Sequence, residues 1–292
     1  MRALVGQDLE TPPEAPAREV GPTSSALRRT VTVALLAEML AGCGSGGGPT
    51  APRTVQDLAS LIASLVPAEF VMPSNVDLTE SWAAAMDVES KRQAFALIQN
   101  SNDFVNAGDI FSSGRRASDP VAADEVRLDV RSTPVNGVAQ YVYSTMPSNP
   151  SGIVLAFDDV RYHRFRITGS SRYPAVTDSV RSVIPLVPAT PSSGATVQRS
   201  LGINVTWTAG ADTTQYVTAM VFMNSDPTQR RISGVTRDTN GQLTLSGTLL
   251  SQLPAGSATL VVVRYRLRYV SSGMFKTGIL SEAGDARPIT LT

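Results

Sequence analysis

The chain has little of what ordinary catalytic or metal chemistry is built from. Its 292 residues include one cysteine and one histidine. A lone cysteine excludes an internal disulfide framework and a cysteine-rich zinc site. A lone histidine, His163, excludes multi-histidine metal centres and leaves a single imidazole base. Lysine occurs only at Lys91 and Lys276, so arginine supplies the other 23 of 25 basic side chains, a bias of composition. Against 25 acidic residues the formal charge is zero, which excludes a basic nucleic-acid footprint. The sequence contains no Gly-x-Ser-x-Gly elbow, phosphate-binding Gly-x-x-x-x-Gly-Lys loop, His-Glu-x-x-His pair or dinucleotide fingerprint. What is present is 42% apolar and only 17% charged residues, enough to bury a core. The length allows about two domains of roughly 100–200 residues.

The N-terminus reads as an address. Residues 1–26 are rich in proline, glutamate and alanine and lack periodicity. They are too polar for a signal, which places its start near Leu27. Arg28 and Arg29 precede an apolar stretch from Thr30 to Leu40, interrupted by Glu38. At 11 residues it is too short for a membrane span, which needs roughly 20. A basic region, a short apolar region and then small residues form a secretory signal pattern. The tetrad Leu40-Ala41-Gly42-Cys43 resembles the lipobox of bacterial lipoproteins, and the chain's single cysteine falls at the required place. The resemblance implies that Cys43 is acylated and becomes the first mature residue. Residues 1–42 are then a signal peptide and 43–53, glycine-rich, a flexible tether. It also implies a protein exported and lipid-anchored at the periplasmic face or cell surface of a bacterium, each buried CH₂ adding about 0.8 kcal/mol.

Past the tether the expected fold is mainly β. Two β-sandwich-like units are expected, at 54–185 and 186–292, the first preceded by a small helical segment. Thr54 is placed to cap a helix through Val55, Leu58, Leu61, Ile62 and Leu65, closed by Pro67. A second helical region is expected over Trp82–Met86 and Ser90–Gln99. From Asp124 the period switches to two, with Val126, Leu128 and Val130 alternating against charged residues. Strands are expected at Val138–Thr145, Ile153–Phe157 and Val160–Thr168, with Asn136-Gly137 and Asn240-Gly241 as hairpin turns. The proline-rich stretch Pro185–Gly194 reads as a boundary. Strands follow at Ile203–Trp207, Tyr216–Met223, Leu243–Ser246, Leu260–Val270 and Phe275–Ser281, with one helical turn at Leu249–Leu253. Val205-Thr206-Trp207-Thr208 and the Leu253-Pro254-Ala255-Gly256 turn resemble Ig-like or fibronectin type III-like modules of envelope proteins. That likeness implies an adhesive or spacer module without a reaction of its own.

Few side chains invite chemistry. His163 lies in an expected strand between Tyr162 and Arg164, and nearby Arg161 and Arg164 are expected to depress its pKa. With Asp158 or Asp159 it is the sole candidate for a hydrolase. Asp158-Asp159 reads as turn chemistry in preference to a Ca²⁺ edge, and Asp238–Gly241 as a turn rather than a calcium loop. Tyr141 and Tyr143 share a strand face and read as core in preference to a sugar platform. Arg264, Arg266 and Arg268 alternate along the last long strand, a positive ladder that is the candidate partner-binding surface. The expectation is a non-enzymatic, lipid-anchored binding or scaffold protein, an accessory subunit bracing a membrane complex through a protein partner. It needs no cofactor or metal. A solute- or glycan-binding lipoprotein and the hydrolase are the alternatives.

Overall fold

The computed structural model describes residues 62, 66–77, 79–88, 91–100, 103–116, 125–135, 138–145 and 155–292. In order, the strands are β1 (Ser81–Val88), β2 (Lys91–Leu97), β3 (Gln99–Asn100), β4 (Asp103–Phe104), β5 (Ile110–Arg116), β6 (Val126–Arg127), β7 (Asp129–Val135), β8 (Val138–Ser144), β9 (Arg161–Ile167) and β10 (Val176–Arg181). They continue as β11 (Pro188–Thr190), β12 (Thr196–Val197), β13 (Ile203–Trp207), β14 (Tyr216–Met223), β15 (Asp226–Ile232), β16 (Thr236–Arg237) and β17 (Gln242–Leu245). A single helical turn, α1 (Gly247–Leu250), precedes β18 (Gly256–Ser272) and β19 (Phe275–Leu291). Ser246 caps α1 by accepting the Leu249 amide.

Among the described residues one sheet has ten strands, running β15-β14-β18-β19-β1-β2-β8-β7, with β12 along β19 and β16 along β14. A four-stranded sheet, β10-β9-β5-β6, and a three-stranded sheet, β11-β13-β17, pack on one of its faces through separate cores. Ala83, Ala85, Ala94, Ala96 and Ile279 meet Phe165, Ile167 and Val176 in the first. Val217, Val221, Leu260 and Val262 meet Ile203, Val205 and Trp207 in the second. On the opposite face Trp82, Met86, Phe95 and Val263 pack under Phe70 and Val71.

The fold is therefore mainly β with two sandwich-like cores, and both cores use the β18–β19 hairpin. The hairpin pairs along its full length, from Gly256↔Leu291 to Ser272↔Phe275. Strand β14 covers only the β18 half from Ala258 to Tyr265. Beyond that, β1 runs parallel to β19 from Ser81↔Thr277 to Val88↔Gly284. The main sheet thus continues across the point in sequence where Pro185–Gly194 suggested a boundary. Within the C-terminal part, β11-β13-β17 faces β15-β14-β18-β19 across one core, as a β-sandwich.

Several local expectations change. Trp82–Met86 and, within the second region, residues 91–99 are not helical: β1 and the 94–97 half of β2 lie mid-sheet and are buried on both faces, where a strand loses its polar alternation. Ser90 and most of the Thr54–Pro67 segment lie outside the described residues, although Ile62 is helical and buried. The Asp124–Arg131 strand divides at Leu128, whose amide donates to the Ile110 carbonyl at 2.8 Å. Its first part, β6, joins β5; its second, β7, joins β8, leaving Val130 45% exposed. Leu155–Phe157 is not a strand, and Ile153 and Val154 lie outside the described residues. Asn136-Gly137 also lies outside them, between the pairs of β7 and β8. Asn240-Gly241 is no hairpin turn. Strand β16 pairs with β14 and β17 with β13, so the chain changes sheets there, Gly241 taking a left-handed φ of 67°.

Gly284 marks the closest backbone approach in the ribbon. A Cβ there would sit 1.9 Å from the Val262 carbonyl oxygen and 2.8 Å from the Val263 Cα, both backbone. Neither can rotate away. Gly284→Ala is expected to destabilise by the upper part of about 1–3 kcal/mol or more, read as a lowered urea midpoint. An unchanged midpoint would contradict this register.

Candidate functional site

The first two members of the arginine ladder face inward. Even-numbered residues of β18 point to the face that carries the two smaller sheets. Arg264 is 9% exposed; it donates to Asp238 Oδ1 at 2.9 Å and to the Ile184 carbonyl at 3.0 Å. Arg266 is 5% exposed; it donates to the Ser182 carbonyl, to Asp212 Oδ2 and, at 3.2 Å, to Thr214 Oγ1. Arg268 pairs with Asp178 at 3.0 Å, its own side chain 61% exposed. The partners come from β10, the segment after it, the turn before β14 and the turn before β17. The ladder thus joins both small sheets and their connecting segment to the ribbon. This corrects the partner-surface reading for Arg264 and Arg266, because the alternation that selects one side of a strand does not say which side meets solvent. Buried guanidinium groups of this kind need every hydrogen bond they make.

Asp212 is held by a local motif. Its Oδ1 accepts the Thr214 amide at 2.8 Å and the Thr214 hydroxyl at 2.6 Å. Burial pushes its pKa up, but the Thr214 hydrogen bonds and Arg266 outweigh that and hold it well below the usual carboxylate range. Asp77-x-Thr79 and Asp226-x-Thr228 form the same turn. The Asp-x-Thr spacing was readable in the sequence; the pairing with Arg266 was not.

His163 is fully buried. Its Nε2 donates to the Ala156 carbonyl at 3.2 Å, so its Nδ1 accepts from the Ser281 hydroxyl at 2.9 Å. Burial lowers its pKa to about 4; the Ala156 carbonyl and Asp158 oppose this, and Arg161 adds only a minor push downward. The depression expected from neighbouring arginines therefore comes chiefly from desolvation. Asp158 is engaged elsewhere, accepting the Val160 and Arg161 amides at 3.0 and 2.9 Å and the Arg161 guanidinium at 3.0 Å. Asp159 is exposed, and its carbonyl accepts from Arg181. No hydrogen bond joins Asp158 or Asp159 to His163 among the described residues, and both ring nitrogens are taken by other groups, so the acid–base pair a hydrolase would need is not formed. Tyr143 is buried, its hydroxyl accepting the Ala107 amide at 2.8 Å and donating to Asn106 at 3.1 Å, as core rather than a sugar platform. Among the described residues no group of three or more His, Cys, Asp or Glu side chains comes together as a metal site. Cys43 lies outside the described residues.

The opposite face of the sheet holds a group that sequence patterning missed. Glu282, in β19, is completely buried between Met86 and Tyr265 in register. Its Oε1 accepts the Val71 amide at 3.4 Å, and its Oε2 has no partner among the described residues. Burial raises its pKa well above the ordinary value, against the weak opposition of the Val71 amide.

No family model matches the chain, and no curated protein matches it. Among solved structures, the crystal structure of chicken CNTN1 FN1-FN3 domains aligns at 10% identity over 70% of this chain and 67% of that one. The TM-score of that superposition is 0.20, so the sandwich assignment rests on strand pairing alone.

Two outcomes test these placements. Arg264→Met should cost about 3–5 kcal/mol by stranding Asp238, whereas Arg268→Ala should cost no more than about 1 kcal/mol, measured by denaturant unfolding. Equal effects would contradict the inward ladder. For Glu282 the folded pKa exceeds its unfolded value near 4.5, so its stability contribution is full below that pH and is lost as pH rises toward the folded value. Glu282→Gln should therefore stabilise relative to the parent by a margin that grows above pH 4.5, seen in melting temperatures across pH. A margin independent of pH would refute the assignment.

Proposed function

We propose that this is a non-enzymatic binding or scaffold protein, exported and lipid-anchored through Cys43, that braces a protein partner at a membrane surface. The observation that carries the reading is where its charge and its one imidazole go. Arg264, Arg266, Asp212 and Asp238 join two sandwiches to one ribbon, and His163 is sealed in a core. A rigid two-sandwich body suits spacing and contact. The Leu40-Ala41-Gly42-Cys43 lipobox supports the anchor, and residues 43–53 supply the reach between membrane and body.

The test is membrane fractionation of the full chain in a bacterial host, with intact-mass measurement of the mature N-terminus. The native protein should partition with membranes and begin at a diacylated cysteine. Cys43→Ser should move it to the soluble fraction while leaving its melting temperature unchanged. An unprocessed chain carrying its initiator methionine and a free thiol would overturn the anchor.

A further inference from the structure

On the face of the main sheet away from the two small sheets, residues 66–77 lie as a strap. The segment forms neither helix nor strand, and Pro67 and Pro73 interrupt both patterns. Its backbone hydrogen bonds are local turns, the Phe70 amide to the Pro67 carbonyl and the Val76 amide to the Pro73 carbonyl, both at 3.0 Å. Among the described residues none of its backbone groups pairs with the backbone of a strand. Apolar contact holds it instead. Phe70 stacks on Trp82 with ring centroids 5.4 Å apart and meets Phe95 edge-on at 4.5 Å, and Val71 is fully buried. Nearer its end Asn75 accepts from the Tyr265 hydroxyl at 2.8 Å. A segment fastened by a few side chains, without ladder bonds, can open on its own ahead of the body.

What lies under the strap is polar and poorly matched. Glu282 is completely buried; its Oε1 accepts the Val71 amide at a long 3.4 Å, and its Oε2 has no partner among the described residues. The same holds for Nε1 of Trp82, the ring on which Phe70 stacks. Each such atom has given up water without a replacement, and opening restores it. Among the described residues no cation stands beside Glu282 to hold a charge. Its register neighbours are Met86 on β1 and Tyr265 on β18, and burial keeps the Tyr265 hydroxyl protonated well above its ordinary range. Asp87 on β1 pairs with Arg92 on β2, and Glu69 on the strap pairs with Lys91 and feels Arg230 of β15. Asp77 takes the Thr79 amide, and Glu80 pairs with Lys276. Arg264 and Arg266 of β18 serve the opposite face. Ionisation of Glu282 is therefore confined to the open form, where water reaches it, so rising pH draws the strap open.

We propose that residues 66–77 are a pH-operated strap, shut over the sheet while Glu282 carries its proton and opened as Glu282 loses it. In the lipid-anchored reading, on which this consequence alone rests, opening adds the strap to the 43–53 tether and lengthens the reach of the body from the membrane. The experiment is amide hydrogen exchange on the full, unacylated chain from about pH 5 to about pH 7.5. It compares Phe70 and Val71 with Val262 in the middle of β18, whose amide reports global unfolding. After correction for base-catalysed exchange, the opening constant at Phe70 and Val71 should exceed that at Val262 and rise with pH, by about tenfold per unit at the steepest. Glu282→Gln should abolish that rise, and Glu69→Gln, which removes the Lys91 pair, should leave it in place, both variants giving folded melting curves. No rise in the parent, a rise that survives Glu282→Gln, or opening of Phe70 and Val71 only together with Val262 would overturn the proposal. Acylation plays no part in this readout, so a failed anchor and a failed strap are told apart.

Discussion

Everything else in the molecule hangs on the β18–β19 ribbon. Two 17-residue strands paired without interruption make a stiff, twisted bar that is longer than either sandwich requires. Its C-terminal half in β19 and its N-terminal half in β18 complete one sandwich with β14. Its tip half completes the other by accepting β1 in parallel. A parallel pair needs a long crossover, and here nearly the whole intervening chain supplies it. The sheet therefore closes only after the last strand is made, so β1, and β2 through it, depends on contacts 196 residues away. Such non-local pairing is slow to form and cooperative once formed.

The ion pairs follow from that geometry. Two small sheets laid on one face of a common sheet leave a seam between them, crossed by the segment from Ser182 to Leu186. Backbone carbonyls in that segment have lost strand partners, and Arg264 and Arg266 donate to two of them. Their remaining charge is met by Asp238 and Asp212. The long arginine side chain is suited to this because its planar fork serves a carbonyl and a carboxylate at once. The same three arginines, two residues apart, would have contributed little to stability on a solvent face.

How legible was this in the sequence? The β class, strands β13, β14, β17, β18 and β19 and a helical turn after β17 followed from apolar runs, alternation and turn chemistry. Residues 82–97 failed for a definite reason. In β1 and β2 the alternation is in volume: Trp82, Met86, Phe95 and Leu97 face one core, and Ala83, Ala85, Ala94 and Ala96 face the other. Polarity does not alternate when both faces are buried, and an alanine-rich run imitates a helix. Glu282 escaped notice for a related reason, since nothing local marks a carboxyl that meets only an amide from residue 71. The His163–Ser281 pair is likewise 118 positions apart in sequence.

In most proteins charge decorates the surface and neutral groups fill the interior. Here arginine and aspartate are drawn into the seam, while Asn204, Gln242 and Thr244 stand exposed on the outward face of β13 and β17. The two facts share a cause. The turn 238–240 has its aspartate pulled inward by Arg264, and Gly241 then sets β17 so that Gln242 and Thr244 stand beside Asn204. The charge that would have flanked the neutral face is the charge that fastens the sandwich to the ribbon. A change at Arg264 would thus reach the outer face through Asp238, so the inner ion pair is the structural support of the outer surface.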